Sequence, residues 1–160
     1  MSTHARIGIL HTDKSSDSIR CQWDGDPTYI APILLRSYND IHKAEALVGL
    51  GNISSLGDNI APTDAAKEHT LDSQQKNTVV AYHRDGGELW KQNKPMHART
   101  MRGLLRNKAA SYIYLFDEDA GEWIYSEGTN VYIYDTKTGK SKYNKSANFR
   151  SLTKVIEEIQ

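Results

Sequence analysis

Two short runs near the start of the sequence alternate apolar and other side chains with a period of two residues. Ile7 and Ile9 share one face of the first run, and after the turn signal TDKSSDS the alternation returns in Ile19, Cys21 and Trp23. A period of two is typical of a β-strand with one buried face. The pattern predicts a β-hairpin, so the remainder of the chain must be organised around a sheet.

The remaining elements follow from apolar spacing and turn signals. Helices are predicted to begin near Ile30, after Asp40, at or just after Pro95, and at Ser146. Aromatic and β-branched runs predict a strand over residues 78–84 and two further hairpins, within residues 111–126 and 130–145. The expected fold is a single α+β domain, residues 1–160. It has a mainly antiparallel sheet of about six strands and about four helices.

Residues 57–77 show almost no apolar periodicity. A polar connection of this length inside a domain is either a functional flap or disordered. The sequence therefore predicts a long polar loop over residues 57–77 that is the most mobile part of the chain and acts as a lid.

Composition excludes several classes of protein. A hydrophobic content of 38% and the lack of a long apolar run argue against a membrane protein and a signal peptide. The single cysteine, Cys21, excludes an internal disulfide and favours a reducing compartment, so a cytosolic location is expected. The net charge is zero, with residues 1–88 acidic and residues 89–145 basic. Duplex DNA is an unexpected partner for a neutral chain.

The first cluster of candidate site residues follows the predicted hairpin, in the stretch RCQWDGDPTYI. Trp23 is either a core residue or a stacking surface. Asp24 and Asp26 flank a glycine before a proline, where carboxylates commonly brace a turn. Alternatively, the two carboxylates hold a cation or orient a water molecule.

The second cluster is the turn YHRDGGE, which contributes Tyr82, His83, Arg84, Asp85 and Glu88. A histidine beside a carboxylate is either a surface hydrogen-bonding group or, as His83 with Asp85, an oriented general base. The adjacent glycines permit a sharp turn or a close approach to a ligand.

The third cluster is basic. Arg99, Arg102 and Arg106 would form one stripe along the helix predicted after Pro95, and arginine forks bind phosphate oxygens well. The alternative is an exposed basic face. Cys21 is expected to be inert inside a strand, and the sequence contains no nucleophile motif. No cofactor and no metal are expected.

The order of motifs resembles a family of small proteins from tailed bacteriophages and mobile elements. The matching stretches are MSTHARIGI, CQWDGDP, LLRSY, EALVGLGNISSLG and VAYHRDGGE, within residues 1–88. The family pattern has histidine, an aromatic residue and arginine where this chain has Gln22, Asp26 and Gly86. The resemblance implies a phage accessory protein that counters defence in the cytoplasm of a bacterial host. It implies no activity.

Three functions are compatible with these features. The leading hypothesis is a binding protein that sequesters a small anionic or nucleotide-type signal of the host's immune response. The second is a hydrolase or phosphodiesterase that uses His83 and the carboxylates to cleave a nucleotide. The third is an inhibitor that binds a host defence protein. The aromatic hairpins near the C-terminus predict a homodimer.

The two charged turns are expected to lie side by side, because the first hairpin and the strand over residues 78–84 must share one sheet in a small domain. Arg84 would then be the counter-ion of Asp24, Asp26 or Asp85. Its removal is expected to cost about 1–3 kcal/mol of stability or ligand affinity if the pair is partly buried.

Overall fold

The computed structural model describes residues 3–106, 110–127, 132–143 and 149–159. Ten strands are present in this part of the chain. In sequence order they are β1 (Ala5–Leu10), β2 (Ser16–Cys21), β3 (Ile53–Ser55), β4 (Val80–Ala81), β5 (Met96–Ala98), β6 (Tyr112–Asp117), β7 (Glu122–Glu127), β8 (Tyr132–Asp135), β9 (Lys140–Tyr143) and β10 (Arg150–Ser151). The helices are α1 (Pro27–Ser37), α2 (Ile41–Val48), α3 (Trp90–Asn93), α4 (Met101–Arg106) and α5 (Leu152–Ile159).

Eight of these strands form one mixed sheet in the order β10-β7-β6-β1-β2-β3-β4, with β5 also paired to β2. Strand β1 is antiparallel to β2 and parallel to β6, and β2 is parallel to β3. The other pairings in the sheet are antiparallel. Strands β8 and β9 form a separate antiparallel ribbon. The predicted α+β domain with a mainly antiparallel sheet is confirmed, but the described residues contain more strands than the expected six and five helices instead of four.

The sheet has an apolar core on each face. The larger core lies between the sheet and helices α1, α2 and α5, and it buries Ile7, Ile19, Leu34, Leu47 and Trp123. The smaller core lies on the opposite face, where Leu104 and Leu105 of α4 pack against β1 and β6. Alternate residues of β1 therefore enter different cores, as the period of two predicted.

Helix α1 begins three residues earlier than predicted. The carboxylate of Asp26 accepts a hydrogen bond from the backbone N–H of Thr28 at 3.0 Å and caps the helix, so Pro27 is the first helical residue. A proline at this position loses no hydrogen bond, because the first N–H groups of a helix have no partner within it. A start near Ile30 would place Pro32 in the first turn, but the observed helix contains it in its interior.

The prediction of a helix from Pro95 was wrong at its start. Residues 96–98 form β5, which pairs with β2 at Ser16, Asp17 and Ser18. Strand β3 pairs with β2 only at Cys21, so the first half of β2 would otherwise lie unpaired on that side. The backbone hydrogen bonds between β5 and β2 outweigh the helix propensity of residues 96–98. The helix begins only at Met101.

Two other predicted boundaries change. The strand expected over residues 78–84 is limited to β4, and residues 82–87 turn back on themselves. The C-terminal helix begins at Leu152 instead of Ser146, which lies outside the described residues. In contrast, Asp40 caps α2 as predicted, because its side chain accepts from the N–H of Lys43 at 2.9 Å. No helix in the described part of the chain is long and apolar enough to cross a membrane.

The aromatic hairpin of β6 and β7 is not an open edge. Strand β6 pairs with β1 along its length, and β7 pairs with β10 at Ile124 and Tyr125. The aromatic rings of Tyr114 and Trp123 are fully buried in the larger core. Homodimer formation stays a prediction, and these two strands do not supply the apolar edge on which it depended.

Candidate functional site

A cleft of about 600 Å³ opens at the carboxyl ends of the parallel strands β2 and β3. Ligands of sheets with parallel strands commonly bind at this position, because the connections that leave the strand ends diverge there. Its walls are the turn after β2, the first turn of α1, the end of β3, the second half of the 57–77 loop, and Tyr82. The lining residues are Trp23, Asp24, Tyr29, Ser54, Ser55, Leu56, Leu71, Gln74, Gln75, Lys76, Asn77, Thr78 and Tyr82.

The turn after β2 is held rigidly, so Trp23 and Asp24 project from a fixed base. The backbone N–H of Trp23 donates to the carbonyl of Ser54 at 2.9 Å, and that of Gly25 donates to the carbonyl of Thr3 at 2.9 Å. The hydroxyl of the buried Tyr114 donates to the carbonyl of Gly25 at 2.7 Å. Trp23 is 47% exposed, so it is a surface of the cleft and not a core residue.

Two cleft residues other than glycine have positive φ angles. Asp24 has φ +56° and Asn77 has φ +55°. Aspartate and asparagine adopt this left-handed conformation more readily than other residues, but it still costs free energy and often occurs at binding sites. Asp24 is constrained by the hydrogen bonds on either side of it, and Asn77 by its carbonyl, which accepts from the N–H of Asn59 at 2.8 Å.

The aromatic surface of the cleft includes Tyr29, which is 40% exposed although its hydroxyl is fixed. This hydroxyl donates to the carbonyl of Leu56 at 2.7 Å. Partial burial and the nearby carboxylate of Asp24 raise the pKa of Tyr29. The Asp24 carboxylate itself accepts no hydrogen bond from any described residue, so it is free to accept one from a ligand.

The outer wall of the cleft belongs to the 57–77 loop, which is anchored by a buried histidine. The side chain of His69 is 3% exposed. Its Nδ1 accepts from the backbone N–H of Gln75 at 3.0 Å, so its protonated Nε2 donates to the carbonyl of Val79 at 2.8 Å. Gln75 in turn donates from Nε2 to the carbonyl of Asp64 at 2.9 Å. The loop therefore has internal order, while its motion as a lid stays a prediction.

The second charged turn contributes an ionic network behind this wall. The guanidinium of Arg84 donates from Nε and Nη2 to the carboxylate of Asp85, each at 2.9 Å. It also donates to the carbonyls of Ile60 and Val79, at 2.6 and 3.0 Å. Asp85 is the counter-ion of Arg84, as one of the three predicted pairings proposed. These groups tie the 57–77 loop to the edge of the sheet.

The predicted dyad of His83 and Asp85 does not form. The side chain of Asp85 is 5% exposed and accepts from the N–H of Ala81 at 2.8 Å and from Arg84. The exposed His83 instead donates from Nδ1 to the carbonyl of Glu88 at 2.7 Å, and its ring lies edge-on to Trp90 at 5.3 Å. Among the described residues, no carboxylate contacts the His83 ring, because it is bonded to a backbone carbonyl instead.

The two charged turns meet only in part. Trp23 and Asp24 of the first turn share the cleft with Tyr82 of the second, whereas Arg84 and Glu88 do not line it. Asp26 is committed to the cap of α1, where Thr28 donates from its backbone N–H and its hydroxyl to the same carboxylate oxygen. The sequence predicted one site. In the structure, Trp23, Asp24 and Tyr82 line a cleft, and Arg84 and Asp85 form a separate network behind it.

The predicted arginine stripe is not a stripe on one helix, and these residues do not line the cleft. Arg99 lies in the bend before α4, because residues 96–98 form a strand. Arg102 belongs to α4, which packs on the other face of the sheet from α1. Arg106 is the last residue of that helix, and its side chain lies outside the described part.

Cys21 is buried below the cleft, as predicted. Its thiol donates to the carbonyl of Trp23 at 3.4 Å, and burial raises the pKa of Cys21 to about 12.

The Cys21 thiol therefore remains protonated at pH 8, whereas an unfolded cysteine with a pKa near 8.5 is partly thiolate there. We expect iodoacetamide at pH 8 to label folded protein at least about a hundredfold more slowly than urea-unfolded protein. Equal labelling rates would show that the turn above Cys21 opens readily.

A second polar cluster, which was not predicted from the sequence, lies at the opposite end of the sheet. The carboxylate of Asp17 contacts two imidazoles, His11 Nε2 at 2.7 Å and His97 Nδ1 at 2.9 Å. The cluster borders a groove of about 470 Å³ that also includes Trp90 and Lys94. His97 is brought there only by the pairing of β5 with β2, which no local pattern indicated.

The fold and the cleft define an α+β domain with an aromatic, mostly neutral cleft at the ends of two parallel strands. Within the described ranges, no group of three or more histidine, cysteine or acidic residues is arranged to hold a metal ion. Comparisons of this chain with protein-family models, curated proteins and solved structures find no match.

Proposed function

We propose that this chain is a binding protein that holds a nucleotide-type ligand in the cleft. The observation that carries the proposal is the exposed indole of Trp23, which stands on a rigid turn next to the unpartnered carboxylate of Asp24. An aromatic ring beside a few fixed polar groups is typical of sites that stack a planar base and fix its orientation.

The charges of the cleft indicate which part of the ligand it binds. Among the lining side chains in the described ranges, the formally charged ones are Asp24 and Lys76. A site for a highly charged anion normally contains several cations. The cleft therefore fits the base and sugar of a ligand, whose N–H and O–H groups donate to Asp24, with a single phosphate contact from Lys76.

The biological role is proposed from the sequence resemblance alone. The resemblance of residues 1–88 to phage and mobile-element proteins favours a role in the cytoplasm of a bacterial host, where the protein would sequester a nucleotide-type immune signal. The hydrolase hypothesis has less support, because His83 donates to a backbone carbonyl and lacks its carboxylate partner. Chromatography of the bound ligand after incubation separates the two roles: a sequestering protein returns it intact.

The test is binding of a panel of nucleosides, mononucleotides and cyclic nucleotides, measured by calorimetry and tryptophan fluorescence. Base stacking on an aromatic ring contributes about 1–3 kcal/mol, so we expect Trp23→Ala to weaken binding by roughly 5- to 150-fold. Trp90→Ala is the matched control, since Trp90 is also exposed but lies outside the cleft. If no compound in the panel binds wild type more tightly than about 1 mM, the proposal is wrong.

An inhibitor of a host defence protein remains the alternative, and a different surface favours it. Leu89 is 66% exposed and its neighbour Trp90 is 41% exposed. Adjacent exposed apolar residues of this size commonly mark protein-binding surfaces. A complex that Leu89→Asp disrupts and Trp23→Ala preserves would support this alternative over the cleft.

A further inference from the structure

Two arginines face each other across β1 and β2. Arg6 and Arg20 are direct partners in the antiparallel register, so their side chains point to the same face of the sheet. This is the face of the smaller core, because Arg6 is also in register with the buried Ile113 of β6. The ligand cleft is built from other residues.

Arg6 is partly buried and makes contacts only with uncharged acceptors among the described residues. It donates from Nε to the hydroxyl of Ser18 at 2.8 Å and from Nη2 to the carbonyl of Ser18 at 3.2 Å. Gly8 permits this arrangement, because a Cβ at that position would lie 2.6 Å from the Cβ of Ser18. Burial and the neighbouring charge of Arg20 lower the pKa of Arg6 to about 10.

No carboxylate compensates these two charges. No ion pair or carboxylate hydrogen bond joins Arg6 or Arg20 to the described part of the chain, and the segments 107–109, 128–131 and 144–148 contain no aspartate or glutamate. Like charges directly opposite each other in a sheet are destabilising, and a cation removed from water normally requires a counter-charge. The pair therefore has no counter-charge in the described part of the chain.

We propose that Arg6 and Arg20 form a binding site for a phosphate group, either free or as a phosphate monoester. Two guanidinium groups on one face present N–H donors to different oxygens of a tetrahedral anion, which is the recognition that arginine performs better than lysine. Arg6 is fixed by Ser18, so it is held in place before the anion arrives. Arg20 is exposed, so an anion can reach the pair from solvent.

Titration with inorganic phosphate at constant ionic strength tests the site, with calorimetry and the thermal midpoint as readouts. Wild type should bind phosphate and unfold at a higher temperature in its presence. Arg20→Gln removes one guanidinium from an exposed position, where the fold tolerates it, and should weaken binding roughly tenfold or more. Lys91→Gln, which removes a charge from the exposed side of α3, should bind as wild type does.

A second variant makes the proposal specific. Arg20→Glu places a carboxylate opposite Arg6, so it should raise the thermal midpoint without phosphate and abolish the response to phosphate. Glycerol phosphate compared with glycerol, in wild type and in Arg20→Gln, then shows whether a monoester without a base occupies the site as well as the free ion. No phosphate response in wild type, or an equal response in wild type and Arg20→Gln, overturns the proposal.

Discussion

Asp85→Ala should lower the free energy of unfolding by about 3 kcal/mol, among the largest losses expected from a single polar side chain in this protein. The carboxylate is 5% exposed and accepts from Arg84 and from the backbone N–H of Ala81, so its removal leaves a guanidinium and a buried donor without their acceptor. Its Oδ2 also lies 3.5 Å from Nε2 of His69. Urea unfolding monitored by tryptophan fluorescence measures the loss.

The matched control is Asp119→Ala. Asp119 also pairs with a cation, Lys14 Nζ at 3.3 Å, but its side chain is 50% exposed. An exposed ion pair contributes at most about 1 kcal/mol, so this variant should unfold almost as wild type does. If Asp85→Ala costs no more than Asp119→Ala, the network behind the cleft does not hold the 57–77 loop.

The elements predicted correctly are those that short stretches of sequence determine. Alternation alone indicated β1 and β2, and an aspartate before a run of apolar residues indicated the start of α2. The hairpin of β6 and β7 follows from aromatic alternation on either side of the turn EDAG. In each case the hydrogen bonds are made between residues close in sequence, so local pattern and final structure agree.

The elements predicted wrongly depend on partners far away in sequence. Strand β5 forms because it pairs with β2, which lies 80 residues earlier in the chain, as the contact of His97 with Asp17 illustrates. The run PMHARTMRGLLRNK contains many helix formers, so the three-residue strand β5 within it cannot be recognised from the sequence. Tertiary pairing, and not propensity, decides short segments of this kind.

One wall of the cleft was predicted from the sequence, and the opposite wall was missed because it depends on contacts between distant residues. Trp23, Asp24 and Tyr82 were accessible from the sequence because aromatic and acidic residues next to glycine mark strand ends. The opposite wall, Gln74 to Thr78, comes from a loop without periodicity, and its order depends on the buried His69. A single histidine in a polar stretch has no signature that separates a buried anchor from an exposed side chain.

Gly25→Ala should both destabilise the fold and impair ligand binding, because the turn that carries Trp23 and Asp24 has no room for a methyl group. An added Cβ would lie 2.7 Å from the Cβ of Ala5 and 2.8 Å from the carbonyl oxygen of Thr3. Ala5 is a buried residue of β1 and Thr3 lies two residues before it, so the turn must move instead. Overpacking of this kind costs about 1–3 kcal/mol.

Displacement of the turn also stretches the hydrogen bond from the Tyr114 hydroxyl to the carbonyl of Gly25, which fixes the position of Asp24. We therefore expect affinity for the tightest-binding compound of the nucleotide panel to fall together with stability.

Gly103→Ala is the matched control. Gly103 lies in α4, where the nearest atom to an added Cβ is the Thr100 hydroxyl at 3.3 Å, and alanine favours a helix over glycine by about 1 kcal/mol. That variant should keep wild-type stability or gain some, with unchanged ligand affinity. If Gly25→Ala matched it in both measurements, the turn would not be the rigid base on which the proposed site depends.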